Sequence, residues 1–194
     1  MRKTLSGLAF AAAVGVCQGC GATATNLSAP DVNSRAAVLA EFRQRIDAYM
    51  ELREDIVDEV GEAESTRDPA DIRGREEALA ERILARRAAA KHGDILTPQI
   101  RAEFRRLLRP ELKGEQGQDI RAKLNDDAPA PGAVPIEVNA RYPAGVAFAT
   151  TPYPVLLALP PLPPGLEFRF VDKDLILLDQ PADVILDYMR NAIS

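Results

Sequence analysis

The chain has 194 residues, with 24 basic and 29 acidic side chains and a formal net charge of −5. That length fits one domain with an appendage, and a hydrophobic share of 46% excludes a wholly disordered chain. The acidic balance argues against nucleic acid as a partner, and the lack of Trp with only 5% aromatics argues against a base- or sugar-stacking platform.

Residues 1–24 have the pattern of an export signal. Arg2 and Lys3 form a short positive start, and Leu5 to Val16 is an apolar run broken only by Ser6, Gly7 and Gly15. Such a run is shorter than the roughly 20 residues a membrane span requires. Two processing patterns compete. In Cys17-Gln18-Gly19-Cys20 a lipobox would be cleaved before Cys20, which would take the lipid; Cys17 and Gln18 replace the Leu-Ala or Leu-Ser usual there. In Ala22-Thr23-Ala24 a small-x-small site would be cleaved after Ala24. Cys17 and Cys20 are the only cysteines, so either event leaves no thiol pair in the mature chain. From Cys20 onward 22 basic residues face 29 acidic ones, a net of −7.

Residues 25–33 read as a linker. Behind it, Leu39, Phe42, Ile46, Tyr49, Arg53, Ile56, Val60 and Ala63 recur at alternating spacings of 3 and 4, a coiled-coil-like a/d stripe. The pattern predicts a helix from Arg35 to Glu64 with Ser34 as its N-cap. Arg53 is the charge in that stripe, and must pair with an acid on a neighbouring helix, snorkel outward or specify register. The acidic row Glu51, Asp55, Asp58 and Glu62 is read as a solvated face, since it lacks the loop oxygens of a calcium site. Asp68-Pro69 is a cap followed by a first-turn proline and predicts a second helix to Lys91, with Ile72, Leu79, Ile83 and Ala90 inward and Gly93 as its C′ residue. Thr97-Pro98 repeats the signal for a third helix with Ile100, Phe104 and Leu107 inward, limited by Pro110. A short fourth helix is expected at Gln118 to Leu124.

Charge is segregated along these helices. Glu41 to Asp68 holds 10 acidic and 4 basic residues, and Arg82 to Lys113 holds 9 basic and 3 acidic ones. Antiparallel packing of the first helix on the next two would bring the two fields together. Arg82, Arg86, Arg101, Arg105 and Arg109 are the candidate partner-binding residues for an anionic envelope component or envelope protein.

From Pro129 to Pro164 there are ten prolines in 36 residues, so no long helix crosses the stretch. Short extended pieces are expected at Val134 to Val138, Val146 to Thr150 and Val155 to Leu159. Leu159 to Pro164 reads as a stiff lead-in to a strand. Leu166, Phe168 and Phe170 then alternate with Glu167 and Arg169. Asp172-Lys173 is a turn, Leu175 to Leu178 a continuous apolar strand, Asp179 to Ala182 a second turn, and Val184 to Tyr188 a third strand. The expected fold is α+β. An N-terminal antiparallel bundle of three to four helices (34–127) precedes a Pro-rich extended segment (128–165) and a three-stranded antiparallel β-meander (166–194). One meander face would lie on a core, covered by the bundle or the Pro-rich segment.

Several stretches, in this order, resemble an uncharacterised family of secreted bacterial proteins. They are Phe42 to Tyr49, Lys91 to Pro98, Leu162 to Val171, Asp174 to Asp179 and Val184 to Asp187. Members of that family carry Gly at the hairpin turn where this chain has Asp172. The resemblance implies export and the helix-then-strand order, and it brings no activity.

His92 is the only histidine, so any Ser-His-Asp or Cys-His site would have to use it. It precedes Gly93 at a predicted helix end, where it reads as a structural or capping residue. The sequence has no nucleophile elbow, phosphate loop or dinucleotide fingerprint, and no His or Cys set for a metal; no cofactor is expected. Paired carboxylates are the remaining catalytic route, with Glu41, Glu51, Asp94, Glu103, Asp174 and Asp187 as the conceivable acids. The expectation is a non-catalytic exported protein of the periplasm or outer membrane, touching the membrane only through a lipid on Cys20. A carboxylate-dependent envelope hydrolase and an accessory or sensor module of a transport or stress system are the alternatives.

Overall fold

The structure is a computed structural model that describes residues 32–61 and 68–193. The leader, Cys20 and Ala63 lie outside the described residues. The described chain is α+β, with five helices followed by a three-stranded antiparallel sheet.

Helix α1 spans Val32–Val60. No proline or glycine interrupts it, and it stops at Gly61, whose φ of +88° is left-handed and whose N–H bonds the Val57 carbonyl at 2.9 Å. The helix therefore starts before Ser34, inside the expected linker, and ends short of Glu64. Its stripe is as the spacing requires: Phe42, Ile46, Tyr49 and Ile56 are buried, and Leu39 and Val60 pack on the core.

Helix α2 spans Pro69–Arg86 and α3 spans Pro98–Leu108. Both begin with the predicted cap and proline. Asp68 accepts from the Ala70 N–H at 2.8 Å, and Thr97 Oγ1 accepts from the Ile100 N–H at 3.3 Å. Helix α2 buries Leu79, Ala80 and Ile83 but leaves Ile72 exposed. It also ends before Lys91, and the reason is tertiary. The Asn139 amide donates to the Arg87 carbonyl at 2.6 Å and accepts from Arg87 Nε at 3.2 Å, capping the helix from the Pro-rich segment. Gly93 is left-handed as expected, at φ +93°, but serves the loop that follows rather than the helix end. Helix α4, Gly114–Asp126, is longer than its pattern suggested. Its buried Gly117 lies against the backbone of Leu112, with no room there for a Cβ.

The Pro-rich segment departs most from expectation. Val155 to Leu159 is largely helical, within α5 at Tyr153–Ala158, because Pro152 and Pro154 supply the φ of a first helical turn. This short helix exposes Tyr153, Leu156 and Leu157. Val134 to Val138 and Val146 to Thr150 are irregular rather than strands.

Strands β1 (Leu166–Val171), β2 (Asp174–Asp179) and β3 (Val184–Met189) pair in sequence order. Asp172 makes the first turn at φ +54°, a left-handed conformation that Asp tolerates. Both faces of the sheet are covered. Leu166, Phe168, Leu175, Leu177, Val184 and Leu186 meet the helices. On the other face Val171, Ile176, Leu178 and Ile185 pack with Val134 and Tyr142 of the Pro-rich segment. Burial on two faces is why β2 reads as an unbroken apolar run. Residues 139–142 also bond to the free edge of β3. The Asn139 N–H reaches the Ile185 carbonyl at 2.8 Å, and the Ile185 N–H reaches the Ala140 carbonyl at 2.9 Å.

The helices and the sheet share one core. Phe42 of α1, Phe104 of α3 and Phe168 of β1 form an aromatic trio with centroid separations of 5.1, 5.7 and 6.2 Å.

Candidate functional site

Two fully buried carboxylates, Asp179 and Asp187, organise the helix–sheet seam. A β-bulge explains the second. Leu177 faces Asp187 while Leu178 faces Ile185, so Leu186 is the extra residue on β3. Opposed residues share a face, so Asp187 is turned toward the helices with Leu177 instead of away from them.

Asp187 accepts the backbone N–H of Ile95 at 2.9 Å, of Leu96 at 2.8 Å and of Gly93 at 3.1 Å. The loop between α2 and α3 is thus folded around one carboxylate. His92 Nδ1 lies 3.1 Å from Asp187 Oδ1, and His92 Nε2 lies 3.1 Å from Arg101 Nη1. A guanidinium only donates, so Nε2 accepts and the imidazole proton sits on Nδ1, where it bonds Asp187. The ring stacks on Tyr188 at 4.1 Å and 16°. His92 is thereby a loop-anchoring residue, with Arg101 also bonded to the Leu96 carbonyl at 2.7 Å.

Asp179 plays the same part for α1. It accepts from Tyr49 Oη at 2.6 Å, Arg53 Nε at 2.8 Å and the Ala182 N–H at 3.2 Å. Burial, and then the charge of Asp179, push the Tyr49 hydroxyl far above the ordinary phenol range, so it stays a donor. Arg53 finds its acid on β2 rather than on a neighbouring helix, and the pair fixes the register of α1 on the sheet. Burial also lowers the pKa of Arg87, which reaches the Leu186 carbonyl at 2.8 Å.

The five candidate arginines are not equivalent. Arg86 pairs with Glu59 of α1, the direct contact between the basic and acidic fields that the charge pattern anticipates. Arg82 is exposed on α2. Arg101 is held by His92 and Leu96. Arg105 of α3 and Arg109, the residue that caps its C-terminal end, line a cleft of about 360 Å³, joined there by Lys113 from the α3–α4 connection and Arg121 of α4. Arg82, Arg86 and Arg101 are not among its lining residues.

This cleft is the candidate site. No carboxylate is among the described residues that line it. Arg105 Nη2 donates to the Arg190 carbonyl at 2.9 Å, and Arg121 Nη1 to the Leu112 carbonyl at 2.7 Å. Those carbonyls orient two guanidinium groups without neutralising them, and each guanidinium keeps further N–H donors. The side chains of Arg109 and Lys113 have no hydrogen bond or ion pair among the described residues. Several arginines elsewhere do pair with acids, as in Arg45–Glu41, Arg53–Asp179, Arg106–Glu103 and Arg190–Asp174. Leu112 and Ala192 give the cleft an apolar floor.

Of the acids considered for catalysis, Asp187 is consumed by the loop and Glu103 is bonded to Arg106, which holds its carboxyl below the ordinary range. Asp174 meets Arg190, Glu41 meets Arg45, and Asp94 accepts the Lys91 N–H at 2.7 Å. Among the described residues no group of three or more His, Cys, Asp or Glu side chains is placed to hold a metal ion. No described helix is long and apolar enough to cross a membrane.

Sequence reasoning found Arg105 and Arg109 but missed Lys113 and Arg121. The signal was present: Pro110 ends α3, and Gly114 and Gly117 let the chain double back, so cations on either side of that break become neighbours. Compared with family models, with curated proteins and with solved structures, the chain matches none, and its site is read from this geometry alone.

Proposed function

We propose that the protein is exported to the cell envelope and works there without catalysis, binding an anionic partner through the cationic cleft beside α3. The observation that carries this reading is the set of four cations, Arg105, Arg109, Lys113 and Arg121, around one concavity with no lining acid. The four cations share one concavity whose described lining residues include no acid, an arrangement that suits an anionic partner outside the chain. Export is supported by the leader, with its basic start, short apolar run and two processing patterns. A lipid on Cys20 would supply a membrane anchor.

Two features weigh against the carboxylate-hydrolase reading. Asp179 and Asp187 have their oxygens filled by internal donors. The His92–Asp187 pair has its outer nitrogen turned to Arg101 rather than to a hydroxyl or thiol. A photo-reactive residue at position 109, activated in intact cells and followed by mass spectrometry, tests the proposal. A recurring anionic envelope product at position 109, absent at position 82, is expected. Turnover of an envelope polymer that vanishes with one acid-to-amide substitution would overturn it.

A further inference from the structure

The cleft has a narrower chemistry than attraction to negative charge. Its cations come from three segments: Arg105 from α3, Arg109 and Lys113 from the end of α3 and the connection, and Arg121 from α4. A carboxylate presents two oxygens in one plane and is satisfied by one or two forks. A phosphate group presents several oxygens in three dimensions and carries up to two charges, so it can be met from all three segments at once. Two of the arginines are already oriented by backbone carbonyls, and Arg109 and Lys113 have nothing internal to release. Arg105 and Arg121 are therefore oriented before the ligand arrives. Its volume of about 360 Å³ fits a headgroup-sized ligand.

We propose that the cleft between α3 and α4 is an oxyanion site that takes a phosphate group. This rests on the envelope-binding reading and names the chemistry of the partner. The phosphate could belong to a lipid headgroup or to a water-soluble phosphate, and both present the same oxygens. Gly117 makes the site geometrically specific. The Leu112 backbone is pressed onto the first turn of α4 at that residue, and the Leu112 carbonyl in turn holds the Arg121 guanidinium at 2.7 Å.

The test is an NMR titration of the isotopically labelled protein with inorganic phosphate at constant ionic strength. A parallel sedimentation arm uses vesicles of phosphatidylcholine with and without phosphatidylglycerol. Saturable shifts confined to residues around positions 109–117 and 191–192 are expected. The double substitution Arg109→Ala with Lys113→Ala should weaken binding by roughly tenfold or more, the scale of a lost charge-assisted contact, and Arg82→Ala should leave it unchanged. Both altered side chains are exposed and have no hydrogen bond or ion pair among the described residues, so the variant should melt like the parent. Vesicle binding that depends on phosphatidylglycerol and on the same two residues, without a response to free phosphate, also supports the site and assigns its source to a lipid. Failure of both probes, or binding indifferent to the double substitution, overturns it. If both probes fail while the crosslink at position 109 persists, the phosphate site is wrong and the envelope-binding reading stands.

Discussion

Replacing Asp187 with Ala tests whether one buried carboxylate holds the loop between α2 and α3. Four backbone N–H groups lose their acceptor, those of Gly93, Ile95, Leu96 and the half-buried Tyr188. Ile95 and Leu96 are buried and cannot turn to water, whereas Gly93 is half-buried and can. An orphaned buried donor costs about 1–3 kcal/mol. Two such donors, partly offset by removing a desolvated charge, give a net loss of about 3 kcal/mol. With a urea slope of about 2 kcal/mol/M, the unfolding midpoint should fall by about 1.5 M with the slope unchanged. Hydrogen exchange should locate the effect, with protection lost at Ile95 and Leu96 before it is lost in the strands. His92→Ala removes two partly exposed hydrogen bonds and a ring stack, and should cost only about 1–2 kcal/mol. An Asp187→Ala variant that loses less than the His92→Ala variant would refute the anchoring argument and return His92 to consideration as a functional group.

Breaking the α1 register lock by Arg53→Met should cost about 3–5 kcal/mol, because Asp179 stays buried with its cation gone. Asp179→Leu also orphans the Tyr49 hydroxyl and the Ala182 N–H, so the double variant stays destabilised, and a double-mutant cycle in urea isolates the Arg53–Asp179 coupling; additive losses would contradict the pairing. Gly117→Ala forces a Cβ into the Leu112 backbone and should cost about 1–3 kcal/mol by thermal melting, while displacing the cleft resonances. Asp183 gives a pH prediction. Burial raises its folded pKa above the ordinary aspartate value, so the folded state holds this proton more tightly and stability falls as pH rises through that window. Asp183→Asn keeps a residue that tolerates φ +51° and removes the buried charge. It should raise the melting temperature at pH 7 and lose the advantage near pH 3; a lower melting temperature at pH 7 would show that the charge is net favourable.

The elements legible in the sequence were those coded locally. Asp68-Pro69 and Thr97-Pro98 each state a cap and a first turn in adjacent residues, and the strand from Leu166 states its period within six residues. What was not legible depended on distant partners. The end of α2 is set by Asn139, far along the chain. The role of Asp187 depends on a bulge that no local pattern announces, so an acid that looked like one of several surface candidates proved to be a buried anchor. Arg53 was marked by its place in an apolar stripe, yet its partner Asp179 was read as a turn residue. The α5 region was misread because prolines were taken only as helix breakers, although Pro152 and Pro154 stand where a helix begins. At the candidate site, α3 spacing revealed two cations, while the other two required the fold-back at Gly117.

The account depends most on where the protein works. Its mass and N-terminus, measured on material recovered from fractionated native cells, test this directly. The account predicts an envelope-associated chain beginning either at a lipid-modified Cys20 or at Thr25. A chain that retains Met1 and remains in the cytosolic fraction would contradict it.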